Sequence, residues 1–370
     1  MHPPSEHSIL GQISGKGLPA YPVGIMTLPK NIKRILRVLL YLVFLVIFTF
    51  TAAEILLRFS SKVRERKNHL EWLRSMMSYD AILGWKHMPN TEGRSKSSEY
   101  QVHYKINSKG LRDREYGYEK SADRFRMICP GDSITFGWGV DADQCFTELL
   151  ETRLHGVDVI NMGVQGYGID QMQLQLREEG MKYRPDLVLV YIIAHDLERA
   201  CYSKMWDRPK PQYRLENNRF YLDNVPVPRM DVFSFENPTL DQIRYLLAKK
   251  SYLFYFIQDV VFLRKAAGVK RTGNRALREA LARTIFLETK KMTDARGAEL
   301  VLIGEFSDRL RSFLSEHQII HYGNPLTGYR GAYEDIYYDE MEHPNPRGHL
   351  LIARGIHAVL KESHLLPAGN

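Results

Sequence analysis

Cysteine is scarce in this chain. Among 370 residues there are three, Cys129, Cys145 and Cys201, and no CxxC pair. That excludes a disulfide framework and a thiolate zinc site. Cys129 lies in a strand-like run and Cys145 on the apolar side of a helix-like one, so both are expected in a core. Basic charge is scarce where a nucleic acid would need it. The net charge is +8, but residues 1–67 hold ten Lys and Arg against three acids, which accounts for +7 of it. The remainder is close to neutral and offers no phosphate-backbone footprint. Also missing are an internal repeat, a GxGxxG loop, an HExxH pair and a GxSxG elbow. Their absence argues against a dinucleotide fold, a zincin and an α/β-hydrolase.

Only one stretch is strongly apolar. In "RILRVLLYLVFLVIFTFTAAEILLRF" no charge occurs from Val38 to Ala53, and Glu54 interrupts only the last turn. A bilayer needs roughly 20 apolar residues as helix, and Val38–Leu57 supplies them. We expect a loose tail over 1–33 and a transmembrane helix over 34–58, making a single-pass membrane protein. A cleaved signal peptide is the alternative, for which the run is long and starts late. Tyr41 and the flanking arginines suit the two interfaces. Glu54 is expected to be solvated near one of them. Lys30, Lys33, Arg34 and Arg37 precede the span, and Arg58, Lys62, Arg64, Arg66 and Lys67 follow it, so charge does not orient it.

Residues 59–118 read as a juxtamembrane segment. A polar helix near Lys62–Met77 precedes a small β-element in which Val102, Tyr104 and Ile106 share a strand face and Asn107–Gly110 turns. From 119 to 366 strands alternate with helices. "RMIC", "VDVIN", "PDLVLVYII" and "AELVLIG" are strands. "DQCFTELLETRLH", "DQMQLQLREEGMKY" (with Asp170 as its N-cap), Arg275–Arg296 and Pro346–Glu362 are helices. The insert 202–272 breaks the rhythm with a Pro-rich polar loop, a hairpin at "NRFYLDNVPV" and an aromatic segment, "SYLFYFIQDVVFL", expected as core helix. The pattern predicts an α/β three-layer sandwich with a mostly parallel sheet.

Ligands bind beyond the carboxyl ends of such strands. The first strand there presents Ser133 in "GDSITFGWGV". The second presents Asn161, Gly163 and Gly166 in "NMGVQGYG", and the third His195 and Asp196 in "AHD". Before the last helix lies "YYDEMEHPNPRGH", with Asp339, Glu340, His343 and His349. Acyl transfer asks for a hydroxyl nucleophile, a base to take its proton, a carboxylate to orient the base, and N–H groups for the oxyanion. Ser133, His343, an acid just upstream, and the amides of Ser133 and Gly166 can supply these. Asp132, Asn161 and Asp196 are candidate substrate-binding residues. His343 and His349 lack a third ligand, so no metal and no organic cofactor are expected.

The first and last motifs in this order, with α/β alternation between, resemble the SGNH/GDSL hydrolases over roughly residues 105–361. "NSKGLRDREY" resembles a segment of membrane-anchored members. The resemblance implies a flavodoxin-like α/β fold. It implies Ser133 as nucleophile, Gly166 as oxyanion donor and His343 as base. It places the orienting acid three residues before the histidine, at Glu340, with Asp339 beside it. Where the family carries Asn-Asp, this chain has His195-Asp196, and a neutral imidazole offers one N–H in place of the amide. The implied activity is a serine esterase or acylesterase on O-acyl esters, of O-acylated glycans or lipid-like compounds, with its domain on the extracytoplasmic side. An O-acyltransferase acting on a sugar, and a catalytically impaired binding or assembly protein, are the alternatives.

Overall fold

The computed structural model describes residues 29–64, 67, 75–97, 99–205, 208–216, 219–229, 247, 249–257, 275–338 and 342–370. The chain divides into two units, Met1–Ala53 and Glu54–Asn370.

The described part of the first unit is helical. It is the greater part of α1 (Lys30–Phe59), 30 residues long and apolar enough to cross a membrane. At 1.5 Å per residue α1 is about 45 Å long, against a hydrocarbon thickness of about 30 Å.

In the second unit, β1 (Met77–Asp80) pairs antiparallel with β2 (Gly84–His87), and β3 (Glu92–Lys96) with β4 (Gln101–Lys105). The main sheet follows. It contains β5 (Phe125–Gly131), β6 (Val157–Gly163) and β7 (Leu187–Ile192), which run through the first half of the unit. The insert adds β8 (Lys204–Met205), β9 (Arg208–Pro209), β10 (Gln212–Glu216) and β11 (Arg219–Asp223) as two small ladders. Then β12 (Glu299–Gly304) and β13 (Ile320–Tyr322) complete a five-stranded sheet of order β13-β12-β7-β5-β6, every pair parallel. Counted along the chain this is order 2-1-3-4-5, and the winding reverses between β5 and β7.

Strand residues alternate between two cores. Met127, Cys129, Val159, Leu189, Tyr191 and Val301 face one. That face is covered by α3 (Phe146–Glu151) and α8 (Pro346–Glu362), through Phe146, Leu150, Ile352, Ile356 and Leu360. Ile128, Ile160, Val188, Val190 and Leu302 face the other. There α4 (Ile169–Glu178), α6 (Arg275–Asp294) and α7 (Asp308–Glu316) contribute Met172, Leu281, Ile285, Leu310 and Leu314. The expected three-layer sandwich is therefore present. β6 and β7 are buried at every position because both faces are covered. The cysteines Cys129 and Cys145 are buried in it.

Several local expectations differ. Met77 opens β1 instead of closing a helix, and residues 68–74 lie outside the described residues. Asp170 does not cap α4. Gly168 occupies the cap, and the Asp170 carboxylate is buried against Lys210. Lys210 lies in the loop expected to be polar and open, yet it is 0% exposed and donates to the carbonyls of Arg199, Tyr202 and Pro211. A buried cation needs that full set of acceptors. The hairpin forms one strand earlier than expected, since "RFYLD" is its second strand and Gln212–Glu216 its first. Within "SYLFYFIQDVVFL", residues 252–257 are helical and none is in the core. Phe256 and Ile257 are exposed, and 258–263 lie outside the described residues. Glu54 is not left to solvent. It accepts from Ser251 Oγ (2.8 Å) and from the amides of Tyr252 (3.0 Å) and Leu253 (2.9 Å), so it caps that short helix.

Candidate active site

β5 delivers Ser133. Gly131 ends the strand, Asp132 caps α2 (Ser133–Phe136) by accepting from the Ile134 amide (2.8 Å), and Ser133 heads the helix. An amide at that position has no acceptor within its own helix. The loop beyond α2 is held by Arg112, which donates to the carbonyls of Phe136 (2.9 Å), Gly137 and Val140 (2.6 Å) and stacks over Tyr104 (4.4 Å). Gly163, at the end of β6, lies directly against α2. A Cβ there would fall 2.1 Å from the Phe136 amide nitrogen, so only glycine lets β6 and α2 approach this closely.

His343 arrives from the opposite direction, on the loop before α8. Tyr337 and Pro344 form an isolated antiparallel bridge, and the Tyr338 amide donates to the His343 carbonyl (2.9 Å). Asn345 then caps α8, accepting from Arg347 (3.0 Å) and Gly348 (3.1 Å). Glu342, just before the histidine, has a left-handed backbone (φ 62°), a strained setting for a residue with a side chain. The Trp138 ring lies 5.6 Å from the imidazole. The two sides meet at Ser133 Oγ and His343 Nε2, 3.0 Å apart, with the residues 7% and 8% exposed. At that distance the hydroxyl can donate to a neutral imidazole, the nucleophile–base contact of acyl-transfer chemistry, and it also lies 3.5 Å from Asp132 Oδ2. Asp339 and Glu340 lie outside the described residues.

Gly166 occupies a tight turn closed by the Tyr167 amide on the Val164 carbonyl (3.2 Å). Its φ is +76°, which glycine adopts without strain. The β1–β2 hairpin holds this turn. Trp85 Nε1 donates to the Gln165 carbonyl (3.1 Å), Gln165 Oε1 accepts from His87 Nε2 (2.7 Å), and Tyr167 donates to the Trp85 carbonyl. Burial lowers His87 to about 4, so the ring is neutral. The small β-element, expected merely to precede the main domain, is thus a wall behind the expected oxyanion donor.

The remaining candidates are placed differently. His195 is the second residue of α5 (Ala194–Arg199), just beyond β7, with a side chain 47% exposed and Nδ1 3.7 Å from Glu198 Oε2. Asn161 is buried. Its amide donates to the Thr135 carbonyl (2.6 Å) and Thr147 Oγ1 (3.1 Å), and its oxygen accepts from Gly163 (2.9 Å). Asp196 is buried and accepts from the Ile193 amide (3.0 Å) and Arg199 (2.6 Å). Burial, and then the nearby Asp132 carboxylate, push Asp196 well above the carboxylate range, while Arg199 opposes them. Asp132 also accepts from Arg199 (2.9 Å). The carboxylates and amide expected to bind substrate therefore hold the frame of the site. Their hydrogen-bond partners include backbone groups, Thr147 and Arg199.

His349 stands apart from His343. It is fully buried, accepts from the Phe146 amide (3.3 Å) and stacks on the Phe146 ring. Burial lowers it to about 3. Among the described residues no cluster of His, Cys, Asp and Glu could hold a metal. A concavity of about 590 Å³ is lined by Arg112, Asp113, Phe136, Glu148 and Asn161, and neither Ser133 nor His343 lines it.

Residues 129–351, more than half of the chain, match the model of the GDSL-like lipase/acylhydrolase family. The chain belongs to that family. No curated protein matches this GDSL-family chain. Among solved structures it is similar to a GDSL-like lipase from Bacteroides thetaiotaomicron (14% identity, 67% of this chain and 93% of the other, TM-score 0.37). Others are a psychrotrophic esterase from a Pseudoalteromonas species (12%, 64% and 97%, 0.36) and a catalytic mutant of an acetylxylan esterase from Geobacillus stearothermophilus (15%, 66% and 96%, 0.35). The assignment rests on the motif match and not on these distant structures.

Two residues of this GDSL-family site escaped the reading of the sequence. Arg112 lies within the quoted "NSKGLRDREY" but carried no role there. Arg199 stands three residues after Asp196, a spacing that brings opposite charges together on a helix, and could have been found by that signal.

Proposed function

We propose that this protein is a membrane-anchored serine esterase that hydrolyses short O-acyl esters, with O-acylated glycans as the substrate class. The observation that carries the reading is the 3.0 Å contact between Ser133 Oγ and His343 Nε2 beyond the carboxyl end of β5, where the strand order reverses. Ser133 Oγ attacks the ester carbonyl carbon as His343 Nε2 takes its proton. Glu340 or Asp339 orients the ring through Nδ1. The carbonyl oxygen, now anionic, accepts from the amides of Ser133 and Gly166. Collapse of the tetrahedral intermediate breaks the ester C–O bond, and His343 returns the proton to the leaving alcohol. Water then attacks the acyl-serine with His343 as base again, which releases the carboxylic acid and restores the hydroxyl. α1 is the anchor, and the domain works on the extracytoplasmic side.

The exposed ring of His195 supports a weaker third donor than the Asn of the family pattern. His195→Asn is expected to raise kcat on aryl acetates, and an unchanged or lower kcat counts against a role for this position in the hole. The test of the whole reading is hydrolysis of short aryl acetates by the full chain in detergent, beside Ser133→Ala. Turnover lost with Ser133→Ala supports it. A folded parent no faster than Ser133→Ala overturns it.

A further inference from the structure

Arg199 is the last residue of α5, with a side chain 14% exposed. A single nitrogen, Nη1, donates toward three acceptors: Asp132 Oδ2 (2.9 Å), Asp196 Oδ1 (2.6 Å) and the Tyr167 carbonyl (3.1 Å). These acceptors lie far apart in sequence, but each adjoins a group of the proposed chemistry. Asp132 precedes Ser133 and caps its helix. Tyr167 follows Gly166 and closes its turn. Asp196 follows His195 on α5.

We propose that Arg199 is a positioning residue. It fixes the Ser133 amide, the Gly166 turn and the start of α5 relative to one another, and so sets the shape of the oxyanion hole. The inference rests on the esterase reading of the site. Three physical arguments support it. First, Asp132 and Asp196 are both buried (1% and 0% exposed), and Arg199 Nη1 donates to a carboxylate oxygen of each. Arg199 keeps the Asp132 cap in place by answering both. Second, the ends of β5, β6 and β7 carry short segments. The Val164 amide on the Gly131 carbonyl (3.0 Å) joins the first two, and Arg199 touches all three. Third, Arg199 is itself held, because its carbonyl accepts from the buried Lys210 Nζ (3.2 Å) of the insert. The guanidinium, 14% exposed and bonded to three acceptors, thus hangs from a backbone that is itself tied to the insert.

An oxyanion hole is sensitive to such placement. Removing one donor costs about 10²–10³-fold in kcat, and a displacement of about 1 Å far from the chemistry costs about 10²-fold. Because the donors engage the transition state more strongly than the ground state, the loss should fall on kcat and spare KM.

The experiment compares the full-length protein in detergent with Arg199→Lys and Arg199→Ala. It measures kcat and KM on short aryl acetates, affinity for a boronic-acid transition-state mimic, and labelling of Ser133 by a fluorophosphonate. Arg199→Lys keeps the positive charge, but its ammonium ends short of the position from which Nη1 reaches all three acceptors. We expect its kcat to fall about 10²-fold, with KM within about threefold and boronate affinity falling in step with kcat. Free guanidinium is expected to restore much of the kcat of Arg199→Ala. If Arg199→Ala does not fold, the variant that combines Asp132→Asn, Asp196→Asn and Arg199→Met removes the charges as a set and takes its place, with the same loss of kcat expected. A folded Arg199→Lys whose kcat and boronate affinity match the parent overturns the inference and leaves the esterase reading standing. So does a loss of kcat that tracks only a fall in Tm and ignores guanidinium. A folded parent inert to both ester and fluorophosphonate overturns the reading of the site and this inference with it.

Discussion

Ser133 and His343 meet across one hydrogen bond, but the two sides of that bond are built differently. The Ser133 side stands on the ends of parallel strands. A capping carboxylate, the close approach of Gly163, and Arg112 gripping the following loop all hold it. The β1–β2 hairpin braces the neighbouring Gly166 turn. The His343 side is a loop. It is held by one β-bridge, a left-handed residue at 342 and the cap of α8. The lesson is that placement by strand topology needs many partners from distant segments, whereas placement by a helix cap needs only neighbours in sequence. Damage to the first side should therefore reach both stability and catalysis, and damage to the second should be milder and more local.

The largest expected effects test whether the two sides act as one unit. Ser133→Ala and His343→Ala should each lower kcat on aryl acetates by about 10⁴-fold or more, and the double variant should be little worse than either. Additive losses in steady-state kinetics would break the pairing. Next in size is Gly163→Ala. The new methyl meets backbone and not a side-chain tip, so overpacking should cost about 1–3 kcal/mol. In thermal melts and turnover this appears as a lower Tm together with a lower kcat. An unchanged Tm would show that α2 can move and that the Ser133 side is not rigid.

On the other side, Asn345→Ala removes the α8 cap and should cost about 1 kcal/mol, with kcat falling less than tenfold. Denaturant melts and kinetics check this. A loss of kcat as large as that of His343→Ala would mean that the cap alone places the base. The smallest effect concerns pH. Burial lowers His87, behind the Ser133 side, to about 4 and His349, in α8, to about 3, from an ordinary 6.5. Both rings are neutral in the fold and bind a proton more readily once unfolded. Stability from these sites is complete above about pH 6.5, and it is lost as pH falls through that value toward 4 and 3. Tm should drop between pH 6.5 and 4, and His349→Phe should flatten that slope. A slope unchanged in the variant would place the acid sensitivity elsewhere.

Much of this was legible in the sequence because it depends on local pattern. Runs such as "LVLVYI" can only be buried strands, and alternation with helices then gives the parallel sandwich. The positions of Ser133, Gly166 and His343 follow from where strands end and where α8 begins. The roles of polar residues were harder to read. Asp132, Asn161 and Asp196 stand at the right strand ends, but a sequence does not reveal whether a carboxylate or amide is already satisfied by the fold. Asp170 reads as a helix cap until Lys210, forty residues away, is seen to claim it. Lys210 itself reads as solvent-exposed because its neighbours "RPKPQ" are polar.

The sequence by itself determined the secondary-structure rhythm, the membrane-length helix and the order of the motifs, since periodicity and strand-end position are properties of neighbouring residues. Only the tertiary structure decided which side chains meet. Three such meetings matter most here: Arg199 with Asp132, Asp196 and Tyr167, the β1–β2 hairpin with the Gly166 turn, and Glu54 with the helix at 252–257. Each is a hydrogen bond or ion pair between segments far apart in sequence, and such partners are selected by three-dimensional proximity that no local pattern encodes.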